Sequence, residues 1–383
     1  MTAPAIMSIK SAIPAFVKQP IRDALDGWER KKFVKHLNSS SFSLPSGAPV
    51  LSFGGALSRG EKTILSGGRV KLSYLDERYP ENAENYNILY LVSSALPKFA
   101  AALAGWAKGK GVKIVLNQNG VAYPGWAGKD FEHRNTQMRE ILELADFIVY
   151  QSRFCKEGAD KYLGKAACPS EIIYNCVDTS FFVPPASPPP FDVWRILVAG
   201  THNFAYKIMA ALNAAASLKN AGRKINVTIA GKLGWQNAEA ETMETVRGLG
   251  LESDVKFTGP YPRKDAAAVH GGAHMLFHAQ YNDASPTTPL EAMACGVPVI
   301  GSKSGGTVEI VGDGGILLDA PASYEKIHAP DPAKMAAAAE LIMRDWGKWS
   351  AAARKTAESR FGKEAWTNKH TMIFGGLIGG TAL

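Results

Sequence analysis

Cysteine is scarce. The chain has four in 383 residues, at positions 155, 168, 176 and 295, and no two form a Cys-x-x-Cys pair. Neither a zinc ribbon nor a disulfide framework fits that spacing, and a reducing compartment is expected. Long apolar runs are missing too. The best stretch, Ile88 to Ala107, is broken by Pro97 and Lys98, short of the roughly 18 residues a membrane span needs. The first thirty residues lack a compact apolar segment followed by a small-residue cleavage site. A cytoplasmic location is therefore expected. No Gly-x-Gly-x-x-Gly string follows a first strand, which excludes the usual nicotinamide-dinucleotide fingerprint. No Asp-x-Asp string and no internal repeat occur, and no metal is expected.

Charge is in surplus on one side. Net charge is +8, with a pI near 9.1, which favours anionic ligands or surfaces but says nothing of fold. The basic residues are scattered, except for Arg30, Lys31, Lys32 and Lys35, which follow Phe16, Ile21, Leu25 and Trp28. This cluster suggests peripheral contact with an anionic membrane face. Pro14 and Pro20 argue against one long amphipathic helix there. No nucleic-acid partner is expected.

Hydrophobic residues make up 46% of the chain and charged residues 20%, so the bulk is globular. Proline is concentrated at one place: five of the seven residues from Pro184 to Pro190. Such a run is a stiff spacer that builds neither helix nor central strand. It divides the chain into residues 1–185 and 191–355, with residues 356–383 expected to cross back to the first domain. Strand candidates in the second domain are Trp194–Ala199, Ile225–Ile229, Val255–Thr258, Met275–His278 and Val297–Ile300. Helical spacing lies between them, as at Ile208, Ala211, Leu212 and Ala215. Val50–Phe53, Ile88–Val92, Val112–Leu116 and Phe147–Tyr150 continue the rhythm in the first. Alternating strands and helices mean parallel sheets, so two Rossmann-like α/β domains should face each other across a cleft. Asp331-Pro332 reads as a helix start.

The stretch most suggestive of chemistry is Asp283-Ala-Ser-Pro-Thr-Thr-Pro-Leu-Glu291-Ala-Met-Ala, followed by Gly296-Val-Pro-Val and by Gly305-Gly306-Thr-Val-Glu309. Ser285, Thr287 and Thr288 precede a helix expected to begin near Pro289, where hydroxyls can cap free amides. Uncapped amides at such a start attract phosphate. Glu291 falls in the first turn. The Gly305-Gly306 pair permits a close backbone approach to a ligand.

This segment resembles the signature of the retaining family 4 glycosyltransferases, which have the GT-B fold. The resemblance rests on two acids eight positions apart (Asp283 and Glu291), the Glu-Ala-Met-Ala helix and the Gly-Gly-x-x-Glu turn. Weaker matches are Ile229-Ala230-Gly231, Val255-Lys256-Phe257-Thr258-Gly259 and Ile173 to Asp178. It implies transfer of a sugar from a nucleotide-diphosphate sugar to a glycan, glycolipid or other hydroxyl acceptor, with no cofactor beyond the donor. By resemblance, Glu291 takes the ribose hydroxyls and Asp283 the transferred sugar. Lys207, Ser285, Thr287, Thr288, Gly305, Gly306, Gly200 and His202 would bind the donor. Gly67-Gly68 looks like the family's first-domain glycine loop, and the glycines Gly54, Gly55 and Gly60 precede it. Asn117, Asn119 and Tyr123 are acceptor-side candidates. Three departures stand out: Asp283 replaces the usual glutamate, Cys176 replaces a turn glycine, and the arginine expected beside Lys207 has no counterpart.

Competing readings are another sugar-nucleotide enzyme of this architecture, such as an epimerase or phosphorylase, and a non-catalytic sugar-nucleotide-binding protein. A triphosphatase phosphate loop from Gly55 to Gly60 fails because Glu61 separates the second glycine from Lys62. His270, His274 and His278 could suggest a metal, but Gly271 and Gly272 break the helix they would share.

Overall fold

Apolar runs bounded by glycine or asparagine become buried parallel strands here. The computed structural model describes residues 15–57 and 67–379, with side chains of the first helix from residue 25 onward. Gly60, Glu61 and Lys62, and the side chains of Phe16 and Ile21, lie outside the described residues.

The first lobe carries β1 (Leu51–Ser52), β2 (Ile88–Val92), β3 (Lys113–Gln118), β4 (Phe147–Tyr150) and β5 (Ser170–Ile172). They pair in parallel in chain order. Its helices are α1 (Ala15–Ser39), α2 (Gly67–Arg78), α3 (Ala100–Gly109), α4 (Pro124–Ala127), α5 (Phe131–Leu144) and α6 (Arg153–Tyr162). The second lobe carries β6 (Trp194–Ala199), β7 (Ile225–Ala230), β8 (Val255–Gly259), β9 (Met275–His278), β10 (Val299–Lys303) and β11 (Gly315–Asp319). Its helices are α7 (Ala205–Asn220), α8 (Ala238–Gly248), α9 (Arg263–Gly271), α10 (Thr287–Ala294) and α11 (Thr307–Val311). After these come α12 (Pro332–Arg344), α13 (Trp346–Phe361) and α14 (Lys363–Gly379).

The second sheet runs β11-β10-β9-β6-β7-β8, all parallel. Its order reverses between β6 and β9. Crossover connections leave the sheet in opposite directions there and open a crevice at the strands' carboxyl ends. The first sheet has no such reversal among its described strands. This asymmetry places the principal ligand crevice on the second lobe.

Strands buried on both faces need apolar residues at every position. β2 meets that demand, with all five of its residues buried. The tail closes onto the first lobe: Trp366, Ile373 and Phe374 of α14 share a core with Leu72, Tyr90 and Val149. Tyr79 Oη donates to Thr371 Oγ1 at 3.0 Å across the same junction. Asp331 caps α12 by accepting from the amides of Ala333 and Lys334, with Pro332 at the first position.

Two boundaries differ from expectation. β10 begins at Val299, because the Val297 amide is spent on the Ala292 carbonyl that closes α10 and Pro298 has no amide. α10 begins at Thr287, two residues before Pro289.

Candidate active site

Three cavities line up along the gap between the lobes. The first, about 460 Å³, is walled by Ser93, Asn119, Tyr123, Trp126, Arg134, Phe154 and Asp283. The second, about 110 Å³, lies at the β6–β9 reversal and is lined by Gly200, His202, Lys207, His278, Asp283 and Thr288. The third, about 440 Å³, is lined by Gly67, Lys232, Tyr261, Arg263, Thr287, Thr288 and Glu291. Asp283 belongs to the first and second, and Gly200 and Thr288 to the second and third. The three are therefore compartments of one cleft, with Asp283 at one junction and the start of α10 at the other.

The start of α10 is open. Its N-cap is Pro286, which has no amide and makes no side-chain cap. Pro289 has none either, so the free donors of the first turn are the Thr287 and Thr288 amides. Ser285 does not cap the helix as the sequence suggested. Its hydroxyl donates to the Gln151 carbonyl at 3.2 Å, in the other lobe. Two uncapped amides therefore remain at the positive end of the helix dipole, on residues that line the third cavity.

Asp283 is held on both sides. His278 Nε2 lies 3.1 Å from its Oδ2. Its carbonyl accepts from the Gly306 amide at 2.8 Å. The next carbonyl, of Ala284, accepts from Ser152 Oγ at 2.7 Å. Gly305 and Gly306 make this packing possible. A Cβ on Gly305 would fall 2.5 Å from the Asp283 carbonyl, and φ there is +59°. A Cβ on Gly306 would strike the Ala284 carbonyl. The backbone that these glycines admit is thus the 282–284 loop, and neither glycine lines the three cavities. Gly67 faces Thr287, with its Cβ position 3.4 Å from Thr287 Oγ1. Gly68 instead meets Ser94 and Ala95 within its own lobe.

Glu291 Oε2 lies 3.3 Å from Nε2 of the fully buried His270. His202 Nε2 lies 3.2 Å from the Ala230 carbonyl, an acceptor, so Nε2 carries the proton. Burial, and then nearby Lys207, push the His202 pKa down to about 4, so the ring is neutral at neutral pH. Lys207 Nζ donates to the Thr201 carbonyl at 2.8 Å. Burial lowers its pKa while Asp283 opposes that shift.

The acceptor-side candidates separate. Asn119 and Tyr123 line the first cavity. Asn117 does not. It is wholly buried and spends its amide on Tyr90 Oη, 2.6 Å away. The physical reason is position along the chain: Asn117 lies within β3 and packs against Tyr90, whereas Asn119 and Tyr123 follow the strand's carboxyl end, where the cleft opens. The histidine trio disperses as well. His274 Nδ1 accepts from the Arg195 amide and its Nε2 lies 3.0 Å from the Pro189 carbonyl, while His270 and His278 face different acids.

Sequence reading missed Arg263, and with it a cation in the third cavity. It opens α9 after Gly259-Pro260-Tyr261-Pro262, a strand end followed by a helix-start proline, which was the available signal. Its guanidinium donates to Tyr74 Oη at 2.6 Å and lies 5.0 Å from that ring's centroid. With Lys207 and Lys232 it gives the second and third cavities three cations, beside Arg134 in the first, although none occupies the arginine position expected after Gly200.

Residues 185–359 match the family model described as Glycosyl transferases group 1. The second lobe is a group 1 glycosyltransferase domain. Among curated relatives, a D-inositol 3-phosphate glycosyltransferase of Corynebacterium kroppenstedtii is 32% identical over 107 residues, 27% of this chain and 22% of that protein. A phosphatidylinositol N-acetylglucosaminyltransferase component of Arabidopsis thaliana is 24% identical over 228 residues, 59% and 50% of the two chains. The chain thus spans between about a fifth and a half of these relatives' lengths. The Anabaena HepE structure with UDP and glucose superposes with a TM-score of 0.65 at 16% identity, covering 85% of this chain and 99% of that one. A sucrose-phosphate synthase from Thermosynechococcus elongatus gives 0.64 at 18% identity, covering 81% and 77%. These likenesses are of fold: the group 1 domain sits in a GT-B arrangement of two parallel-sheet lobes. Among the described residues, no helix is long and apolar enough to cross a membrane.

Proposed function

We propose that this group 1 glycosyltransferase domain and its partner lobe form a retaining, metal-independent glycosyltransferase that uses a nucleotide-diphosphate sugar. The observation that carries the reading is the open start of α10, set at the β6–β9 reversal between a cavity lined by Asp283 and Lys207 and one lined by Glu291, Arg263 and Lys232. The third cavity takes the nucleoside, with Glu291 accepting from the ribose hydroxyls. The Thr287 and Thr288 amides, with Lys207 and Arg263 nearby, receive the diphosphate. Asp283 meets the transferred sugar, and the acceptor hydroxyl arrives through the first cavity beside Asn119 and Tyr123.

The chemical demand is to stabilise a departing diphosphate while the sugar carbon gains oxocarbenium character. Fixed amide dipoles and cations meet it without reorganising as charge develops. A site of this make-up carries the leaving-group charge on the protein itself, which is why a metal is left out of the mechanism. Retention follows from attack on the face the leaving group vacates, where the first cavity meets the second at Asp283. The HepE structure was obtained with UDP and glucose, and a uridine donor is the first to try.

A thermal-shift series with UDP, GDP, ADP and their glucose conjugates tests this reading. One nucleoside diphosphate should raise the melting temperature selectively, by several degrees at saturation, without added divalent metal. A hundredfold excess over Kd stabilises by about 2.7 kcal/mol. A flat response to all of them sinks the proposal.

Contact with an anionic membrane face is part of the same reading. On α1, Trp28 is 61% exposed, with Lys32 Nζ 5.5 Å from its ring centroid and Arg30, Lys31 and Lys35 close by. Vesicles of phosphatidylglycerol should pull the protein down at low salt, and the Lys31→Glu, Lys32→Glu double variant should stay in the supernatant. Equal recovery of both proteins would remove the membrane from the account.

A further inference from the structure

Lys71, on the second turn of α2, is 2% exposed. Its Nζ donates to Gln151 Oε1 at 2.8 Å and to Asn175 Oδ1 at 3.0 Å. Both partners are neutral amides. Among the described residues, no carboxylate lies within ion-pair distance of it. Burying an ammonium without a counter-charge is costly, and an apolar side chain of similar length would avoid that cost. Packing alone does not account for a lysine here.

Its surroundings point to a use. Asn175 Nδ2 donates to the Ser285 carbonyl at 2.8 Å, and the Ser285 hydroxyl returns to the Gln151 carbonyl. The two residues that grip the ammonium therefore also hold Ser285, Asn175 through its side-chain amide and Gln151 through its main-chain carbonyl. On the far side, Gln151 donates to Asn117 and Asn117 to Tyr90. Tyr90 Oη then lies 2.9 Å from His370 Nε2. The chain of bonds has one direction: the amide oxygens turn toward Lys71 and the amide hydrogens away from it. A protonated amine suits that polarity.

We propose that Lys71 is a positioning residue for the donor: its ammonium braces the Asp283–Ser285 loop through Asn175 and Gln151 and supplies, from the first lobe, positive potential for the donor's diphosphate. The proposal rests on the donor reading above and extends it. Part of the charge expected from an arginine after Gly200 comes instead from the opposite lobe, buried behind the loop. Because Lys71 works from behind that loop, it acts through the loop and through its field, and it does not touch the ligand.

The titratable groups facing Nζ are Cys155 on α6, Cys176 in the turn after β5, and Asp283 in the donor loop. Burial pushes the Cys155 thiol up to about 12 and the Cys176 thiol higher still, so both stay neutral. Burial brings Lys71 itself down to about 8, and Asp283 pulls the other way. The sign follows. An anion favours the charged lysine, so its affinity is highest below about pH 8 and falls as pH rises through that value and the proton is lost.

Calorimetric titration of the full chain with UDP, GDP and ADP, at pH 7 and about pH 9, tests the proposal. For the diphosphate that binds best, wild-type affinity should fall on the order of tenfold between the two. Lys71→Met should bind on the order of tenfold more weakly at pH 7 and lose most of the pH step. Lys207 and the ligand's own ionisation are common to all variants and cancel in the comparison. Lys71→Arg keeps the charge without the titration, so at both pH values it should bind near the level wild type shows at pH 7. Gln151→Glu pairs the ammonium and cancels its field, and should be weak and flat with pH. A folded Lys71→Met with wild-type affinity and an unchanged pH step overturns the proposal. If Lys71→Met does not fold, Lys71→Arg decides: a wild-type pH step in that variant overturns it equally. Binding with no dependence on Lys71 removes this inference alone, whereas no binding of any diphosphate removes the donor reading too.

Discussion

Replacing Glu291 by glutamine should erase the protein's preference for ribose. In the proposed site the carboxylate lies in the second turn of α10, lines the third cavity and lies 3.3 Å from His270 Nε2. A carboxylate with free lone pairs can accept from both ribose hydroxyls. A glutamine presents one neutral oxygen, and its NH2 can only donate to the second hydroxyl, so both charge-assisted bonds are lost. Hydrogen bonds to a charged group are worth about 1.5–3 kcal/mol each, so the variant should bind a nucleoside diphosphate on the order of 10²-fold more weakly. Pyrophosphate, which has no ribose, should bind both proteins equally. Wild type should also reject the 2′-deoxy analogue, and the variant should accept the two sugars alike. The ratio of affinities is decisive, because a general loss of folding would lower all of them together. An unchanged ribose-to-deoxyribose ratio would remove Glu291 from the nucleoside site.

Gly306→Ala should silence the protein while leaving most of it folded. Its φ is −72°, an ordinary value for alanine, so backbone strain plays no part. The effect is one of space: an added methyl would strike the Ala284 carbonyl and meet Ser152 Oγ at 3.0 Å. The loop that carries Asp283 must retreat, and the Thr287 and Thr288 amides that follow it must turn. Overpacking of this kind costs about 1–3 kcal/mol, so the melting temperature should drop by a few degrees. Misplacement of the reacting groups by about 1 Å can cost on the order of 10²-fold in rate. Transfer or hydrolysis of the donor should therefore fall far more than stability does. Near-normal turnover in Gly306→Ala would mean the loop position matters little.

Much of the fold was readable because parallel strands announce themselves. Ile88–Val92, Phe147–Tyr150, Trp194–Ala199 and Met275–His278 are apolar runs too short for helices and are bounded by turn residues, and each is a strand with those limits. β5 and β11 were not anticipated, and neither strand has a residue counted as buried. Burial is what writes a strand into sequence as an apolar run, and edge strands escape that demand. The Asp283–Glu309 segment was readable for a different reason. Its helix, helix stop and glycine pair lie close together in the chain, so local rules describe them, but α10 starts two residues earlier than expected, which puts Glu291 in the second turn and leaves the start uncapped by side chains.

Sequence by itself determined the two parallel-sheet lobes, the proline spacer between them, and the local string from Asp283 to Glu309. Tertiary structure decided what those residues do together. It turned the Ser285 hydroxyl away from the helix it precedes, filled the space at Gly305 and Gly306 with protein backbone, buried Asn117, brought Arg263 to the cleft and buried Lys71 behind the Asp283–Ser285 loop, both from distant parts of the chain. The division has a physical cause: backbone propensity and periodicity act over a few residues, whereas the field and hydrogen bonds at an interlobe cleft depend on side chains that meet only after both sheets have formed.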